Sequence, residues 1–94
     1  MLKRSDLLAL NFYKKEAFTG SLTGMRYRVA KDGDDLIATI WPEPFSYDNT
    51  SDDKKQSEHF PYSEEGLNAI VEWLNRMREE QKETWENAPF WVKR

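Results

Sequence analysis

The sequence predicts an α+β fold: a small antiparallel sheet covered by a long C-terminal helix, with a short helix at the N-terminus. Three observations carry this expectation. Leu67, Ile70, Val71, Leu74, Met77 and Trp85 recur at three- and four-residue steps, the mark of one buried helix face. Met25, Tyr27 and Val29 alternate with Arg26, Arg28 and Ala30, the two-residue period of a half-buried strand. Between that run and Leu36–Trp41 lies Asp32-Gly33, a pair favoured in tight hairpin turns. With 94 residues the chain is expected to be a single domain, 1–94, with one core.

Each element has its own signal. Ser5 is placed to cap a short helix over 5–15, with Asp6 in its first turn and Lys14 and Lys15 in its last. Leu7, Leu8, Leu10 and Phe12 give that helix an apolar side, but so short a helix needs packing support. Thr19 to Gly24 reads as a loop because of its glycines. The hairpin occupies 24–41. With Asp32-Gly33 as a two-residue turn, Val29 faces Leu36, Tyr27 faces Ala38 and Met25 faces Ile40. That register collects these apolar residues on one face and leaves Arg26, Arg28, Ile37, Thr39 and Trp41 on the other.

Pro42-Glu43-Pro44 ends the ladder. The stretch 48–57, DNTSDDKKQS, has no apolar residue and reads as a solvated loop. Glu58-His59-Phe60 suggests a weak third strand near 58–60, stopped by Pro61. Ser63 then caps the long helix 64–86, with Glu64 and Glu65 at the positive end of its dipole and Asn87 and Pro89 marking its end. The tail after Pro89 carries Phe90-Trp91-Val92.

Composition narrows the function classes. Without cysteine there is no disulfide, thiolate zinc site or Cys nucleophile. The apolar run Leu7–Leu10 is too short for a signal-peptide core, and no window approaches the roughly 20 apolar residues of a membrane span. A soluble, cytoplasmic protein is expected. Its charge is unevenly placed. Residues 1–31 hold seven basic and two acidic side chains, net +5; residues 32–65 hold two and ten, net −8; residues 66–94 hold five of each, leaving −3 overall. Such a split matters for the choice of partner.

The catalytic inventory is thin. His59 is the only histidine, and beside Phe60 it reads as structural. Neighbouring acids such as Asp34-Asp35 and Glu79-Glu80 lack the held-apart, pKa-split arrangement of paired catalytic carboxylates. The Asp32-Gly33-Asp34-Asp35 turn lacks the spacing and terminal Glu of a calcium loop, and the glycines form no phosphate-cradling pattern. The expectation is a non-enzymatic protein with no cofactor and no metal.

Two surfaces remain. Asp48, Asp52, Asp53 and Glu58 form an acidic flank that can steer a basic partner, and Phe90 and Trp91 are suited to anchor an interface. Small inhibitors of nucleic-acid enzymes, anti-CRISPR proteins among them, use acidic surfaces as phosphate substitutes. The leading reading is therefore a protein-binding module, an inhibitor or adaptor acting on a nucleic-acid-handling partner. The alternative is DNA binding through Arg26, Arg28 and Trp41, the arginines neutralising phosphate while the ring stacks on a base or wedges a groove.

The run Gly24-Met25-Arg26-Tyr27-Arg28-Val29, then Ile37–Trp41, then His59–Leu67 before an apolar helix resembles three-stranded-sheet-plus-helix DNA readers such as AP2 and integrase arm-binding domains. The likeness covers roughly residues 24–74 and implies strands that enter the major groove. It departs where Asp48, Asp52, Asp53 and Glu58 precede or enter the third strand, since these repel phosphate. The whole chain is also similar to small uncharacterised bacterial proteins associated with mobile elements, which share its WPEPF, SEEGL and WL segments.

Overall fold

Four strands form one antiparallel meander, in the spatial order β1-β2-β3-β4. They are β1 (Phe18–Leu22), β2 (Met25–Asp32), β3 (Asp35–Pro42) and β4 (Gln56–Pro61). A long helix, α1 (Glu64–Glu80), covers one face, and a short one, α2 (Lys82–Glu86), follows it. The computed structural model describes residues 2–22, 24–42, 47–48, 50 and 52–86. The α+β class and the covering helix are as the sequence predicts, but the sheet has four strands rather than three.

The extra strand is β1, in the stretch whose glycines suggested a loop. It pairs with β2 from Phe18↔Val29 to Leu22↔Met25. Gly20 lies opposite Tyr27, and a Cβ built there would approach the Tyr27 hydroxyl oxygen to 2.6 Å. The glycine thus leaves room for the aromatic ring across the strand. This is a packing requirement that resembles loop composition when read locally.

The β2–β3 turn falls one residue later than expected. Asp32 pairs with Asp35, so Gly33-Asp34 are the turn residues, and Gly33 supplies the positive φ of 64°. Val29 consequently faces Ala38 instead of Leu36, and Tyr27 faces Ile40 instead of Ala38. The pairing slips by two residues, and because side chains alternate every residue the two faces are unchanged. Met25, Tyr27, Val29, Leu36, Ala38 and Ile40 are all buried against Leu67, Ile70, Trp73 and Leu74 of α1. Phe60 of β4 meets Trp73 edge-on at 5.8 Å, which secures the far side of the sheet to the helix.

The N-terminal helix expected over 5–15 is instead two short 3₁₀ turns, Arg4–Asp6 and Leu10–Lys14, with Leu7 extended between them. Leu7 and Tyr13 are both buried in the core. Six residues apart, they lie about 120° around an α-helix from one another, so a continuous helix would not point both straight into the core. Opening the chain at Leu7–Ala9 lets both reach the core. Asn75 of α1 holds the start of the chain, accepting from the Leu2 N–H and donating to the Leu2 carbonyl.

The long helix is capped by Ser63, whose Oγ accepts from the Gly66 N–H at 3.0 Å, but it does not run unbroken to 86. It pauses at Gln81. There Gln56 of β4 and Gln81 exchange two amide hydrogen bonds, at 2.7 and 2.8 Å. The Met77 carbonyl accepts from both the Gln81 N–H and the Trp85 indole N–H. These bonds seat Trp85 in the core at 1% exposure.

Arg4 donates from two guanidinium nitrogens to the two carboxylate oxygens of Glu64 at the start of α1. This bidentate contact holds the Glu64 carboxyl below its ordinary value of 4.5. Its stabilisation is therefore complete above that value and fades as pH falls through the lowered folded-state pKa. In thermal melts, Glu64→Gln is expected to melt below wild type near neutrality and to converge with it once the pH falls below the lowered Glu64 pKa. A gap that does not change with pH would show that the pair contributes nothing through its charge.

Candidate binding cleft on the outer sheet face

The alternation that buries Tyr27 and Val29 turns Arg26 and Arg28 to the face away from α1. Two cross-strand rows meet there. One runs Ser21, Arg26, Trp41; the other runs Thr19, Arg28, Thr39, Ser57. The Thr39 and Ser57 hydroxyls hydrogen-bond at 2.9 Å, closing the second row. Thr19, Arg26, Arg28, Trp41, Tyr47 and Asp48 line a cleft of about 340 Å³, near the lower end of ligand-pocket volumes.

Tyr47 organises this cleft. Its ring meets Trp41 edge-on at 5.5 Å, and it carries the Arg28 guanidinium at 4.5 Å and the Lys55 ammonium at 3.8 Å. Two cations on one ring fix the position of Arg28 without neutralising it. Arg26 differs: its Nε is buried and finds no hydrogen-bond partner among the described residues. A buried donor without an acceptor is costly, so Arg26 is held there by packing rather than by a paired charge.

A second depression of about 180 Å³ adjoins the first through Arg28 and is lined by Lys14, Lys15, Glu16 and Lys31 among others. Among the described residues, the two depressions are lined by five basic residues (Lys14, Lys15, Arg26, Arg28, Lys31) and two acidic ones (Glu16, Asp48). That is a local net of +3 on a chain whose net charge is −3.

The residues singled out from sequence are distributed as follows. Arg26 and Arg28 do come together, but Trp41 beside them is 1% exposed, so its ring is not presented for stacking. Asp48, expected on an acidic flank, lines the arginine cleft instead. Asp53 lines a different depression, with Pro42, Gln56, Thr84 and Trp85. Glu58 pairs with Ala38, on the helix side of edge strand β4, and is exposed. Asp52 opens the 3₁₀ turn Asp52–Lys54, and β4 begins at Gln56, so 48–57 is not a loop throughout. Phe90 and Trp91 lie outside the described residues. The acids therefore do not share one surface, whereas the basic residues do.

Tyr47 is the residue that sequence reasoning missed. It follows a proline break, carries no periodicity, and gains its role only from Trp41 and Arg28 across the sheet. His59 places Nε2 2.9 Å from Asp32 Oδ2, bridging β4 to the tip of the β2–β3 hairpin. Among the described residues no group of three or more His, Asp or Glu is placed to hold a metal ion, and no helix is long and apolar enough to cross a membrane. No protein-family model matches the chain, and no curated protein or solved structure is found to be similar to it.

Proposed function

We propose that the protein is a non-enzymatic binding module, an adaptor or inhibitor, that docks onto an acidic segment of a partner protein through the Arg26–Arg28 cleft. The observation that carries this reading is the pair Arg26 and Arg28 lining one cleft whose surroundings are locally basic. A carboxylate suits it better than a nucleic acid for two reasons. Trp41 is buried and Tyr47 already carries two cations, so neither ring is free to take a base. Asp48 in the same cleft repels a run of phosphates but accepts hydrogen bonds from the backbone or hydroxyls of a peptide.

The test is a calorimetric titration with a glutamate-rich peptide and, separately, a DNA duplex, each at about 50 and 200 mM salt. The peptide is expected to bind, and Arg26→Ala with Arg28→Ala to weaken it at least about tenfold, the scale of one charged hydrogen bond. Charge reversal at Asp53 and Glu58, which lie away from the cleft, is expected to leave affinity within about twofold, as for distant surface sites. Duplex binding that falls steeply with salt and is lost in the double-alanine variant would instead assign the cleft to phosphate.

A further inference from the structure

We infer that the acidic segment binds as a fifth strand on the outer edge of β1, where no described residue pairs, its backbone extending the sheet while alternate carboxylates reach the Arg26–Arg28 cleft. This rests on the cleft reading above. The sheet has two edges, and they are unequally guarded. On β4, Glu58 and His59 are exposed and Pro61 ends the strand, features that discourage edge pairing. On β1, Phe18-Thr19-Gly20-Ser21-Leu22 has neither a charge nor a proline, and among the described residues β1 pairs with β2 alone. The unguarded edge is the one beside the basic cleft.

The side chains of β1 suit such a visitor. A fifth strand lies about 4.8 Å beyond β1, hence about 10 Å from β2. On the cleft side, of the described residues of β1 only Thr19 and Ser21 stand between, both small and both exposed, so a glutamate on the added strand has a path toward Arg28 or Arg26. On the opposite side Phe18 and Leu22 are half-buried at the edge, with Gly20 between them occupied by the Tyr27 ring. The added strand should therefore alternate acidic residues toward the cleft with apolar ones toward Phe18 and Leu22, one recognition mode of strand addition. A second copy of this chain fits poorly, because β1 paired with β1 across a two-fold axis sets two net-positive surfaces side by side.

The probe is the capped peptide Thr-Glu-Val-Glu-Val-Glu-Thr, with two isomers N-methylated on one or the other alternate set of amides. Only one set can face β1. That isomer is expected to lose at least about tenfold in affinity, the scale of a lost backbone hydrogen bond, while the other binds like the parent. Backbone amide shifts should change at Thr19 to Leu22. If both isomers bind like the parent, yet Arg26→Ala with Arg28→Ala abolishes binding, the cleft captures a side chain and the strand-addition inference fails alone. No binding of the parent peptide at about 1 mM, a free energy of roughly 4 kcal/mol, would overturn both readings. A dimer that excludes the peptide would overturn the inference by giving the β1 edge to a second copy.

Discussion

Trp85→Ala is expected to lower the unfolding free energy by about 3–5 kcal/mol, the range for truncating a large buried aromatic. Trp85 is 1% exposed, belongs to the same core as Leu74 and Tyr27, and donates its indole N–H to the Met77 carbonyl at 3.1 Å. Its own backbone is tightly packed too: a Cβ on Gly24, which has φ 86°, would lie 2.6 Å from the Trp85 carbonyl oxygen. Since a small domain is stable by only about 5–15 kcal/mol, the variant should be close to half-unfolded under mild denaturant. Trp85→Phe separates the causes. It keeps most of the ring and should lose about 1 kcal/mol, the scale of one hydrogen bond. Urea unfolding checks both. A loss under about 1 kcal/mol for Trp85→Ala, ordinary for a surface position, would mean that α2 is not part of the core.

The second large effect reverses an ordinary rule. Alanine in place of a helical glycine usually gains about 1 kcal/mol. At Gly66, in the first turn of α1, a Cβ would sit 1.8 Å from the carbonyl oxygen of Pro61 and 2.9 Å from its carbon. Both are backbone atoms at the end of β4, so no side chain can swing aside, and Ser63 has already fixed the helix start. The helix must lift from the strand or the strand must bend. Gly66→Ala is expected to cost about 3 kcal/mol, the upper end of overpacking costs. For a domain of this size that lowers Tm by about 12 °C or more. A rise in Tm, the propensity result, would show that α1 does not meet β4 in this way.

The elements legible in the sequence were those whose signal is local. The stripe Leu67, Ile70, Leu74 is a property of one helix, and the alternation Met25, Tyr27, Val29 of one strand. The Asp-Gly pair placed a turn but not its register, because Asp32-Gly33 and Gly33-Asp34 both satisfy a two-residue turn. The faces survived the error through parity. What was not legible depends on partners far along the chain. β1 is a strand because Tyr27 needs Gly20 beneath it, and its composition alone looks like a loop. The N-terminal helix fails because Leu7 and Tyr13 are drawn to one core. The two arginines were visible as a pair, but the cleft that holds them needs Tyr47 and Asp48, separated from β3 by a proline break. The acidic flank looks coherent only because its members are close in sequence; strand pairing sets Glu58 on the helix side of the sheet, while Asp48 lines the cleft on the other.

The two ends of α1 are fastened by different chemistry. At the start, Arg4 and Glu64 form an ion pair, which acid or salt weakens. At the end, Gln56 and Gln81 exchange two uncharged amide bonds that neither proton nor counterion competes for. Acid strong enough to protonate Glu64, below its ordinary carboxyl range, should therefore fray this protein from one direction only. The 3₁₀ strap over Arg4–Asp6 loosens first, while the Gln81 latch and the tryptophan behind it stay shut. In amide exchange, protection near Glu64 and Leu7 should follow pH, and protection near Gln56 and Met77 should not. The helix is a hinged cover whose pin is pH-independent and whose clasp is not.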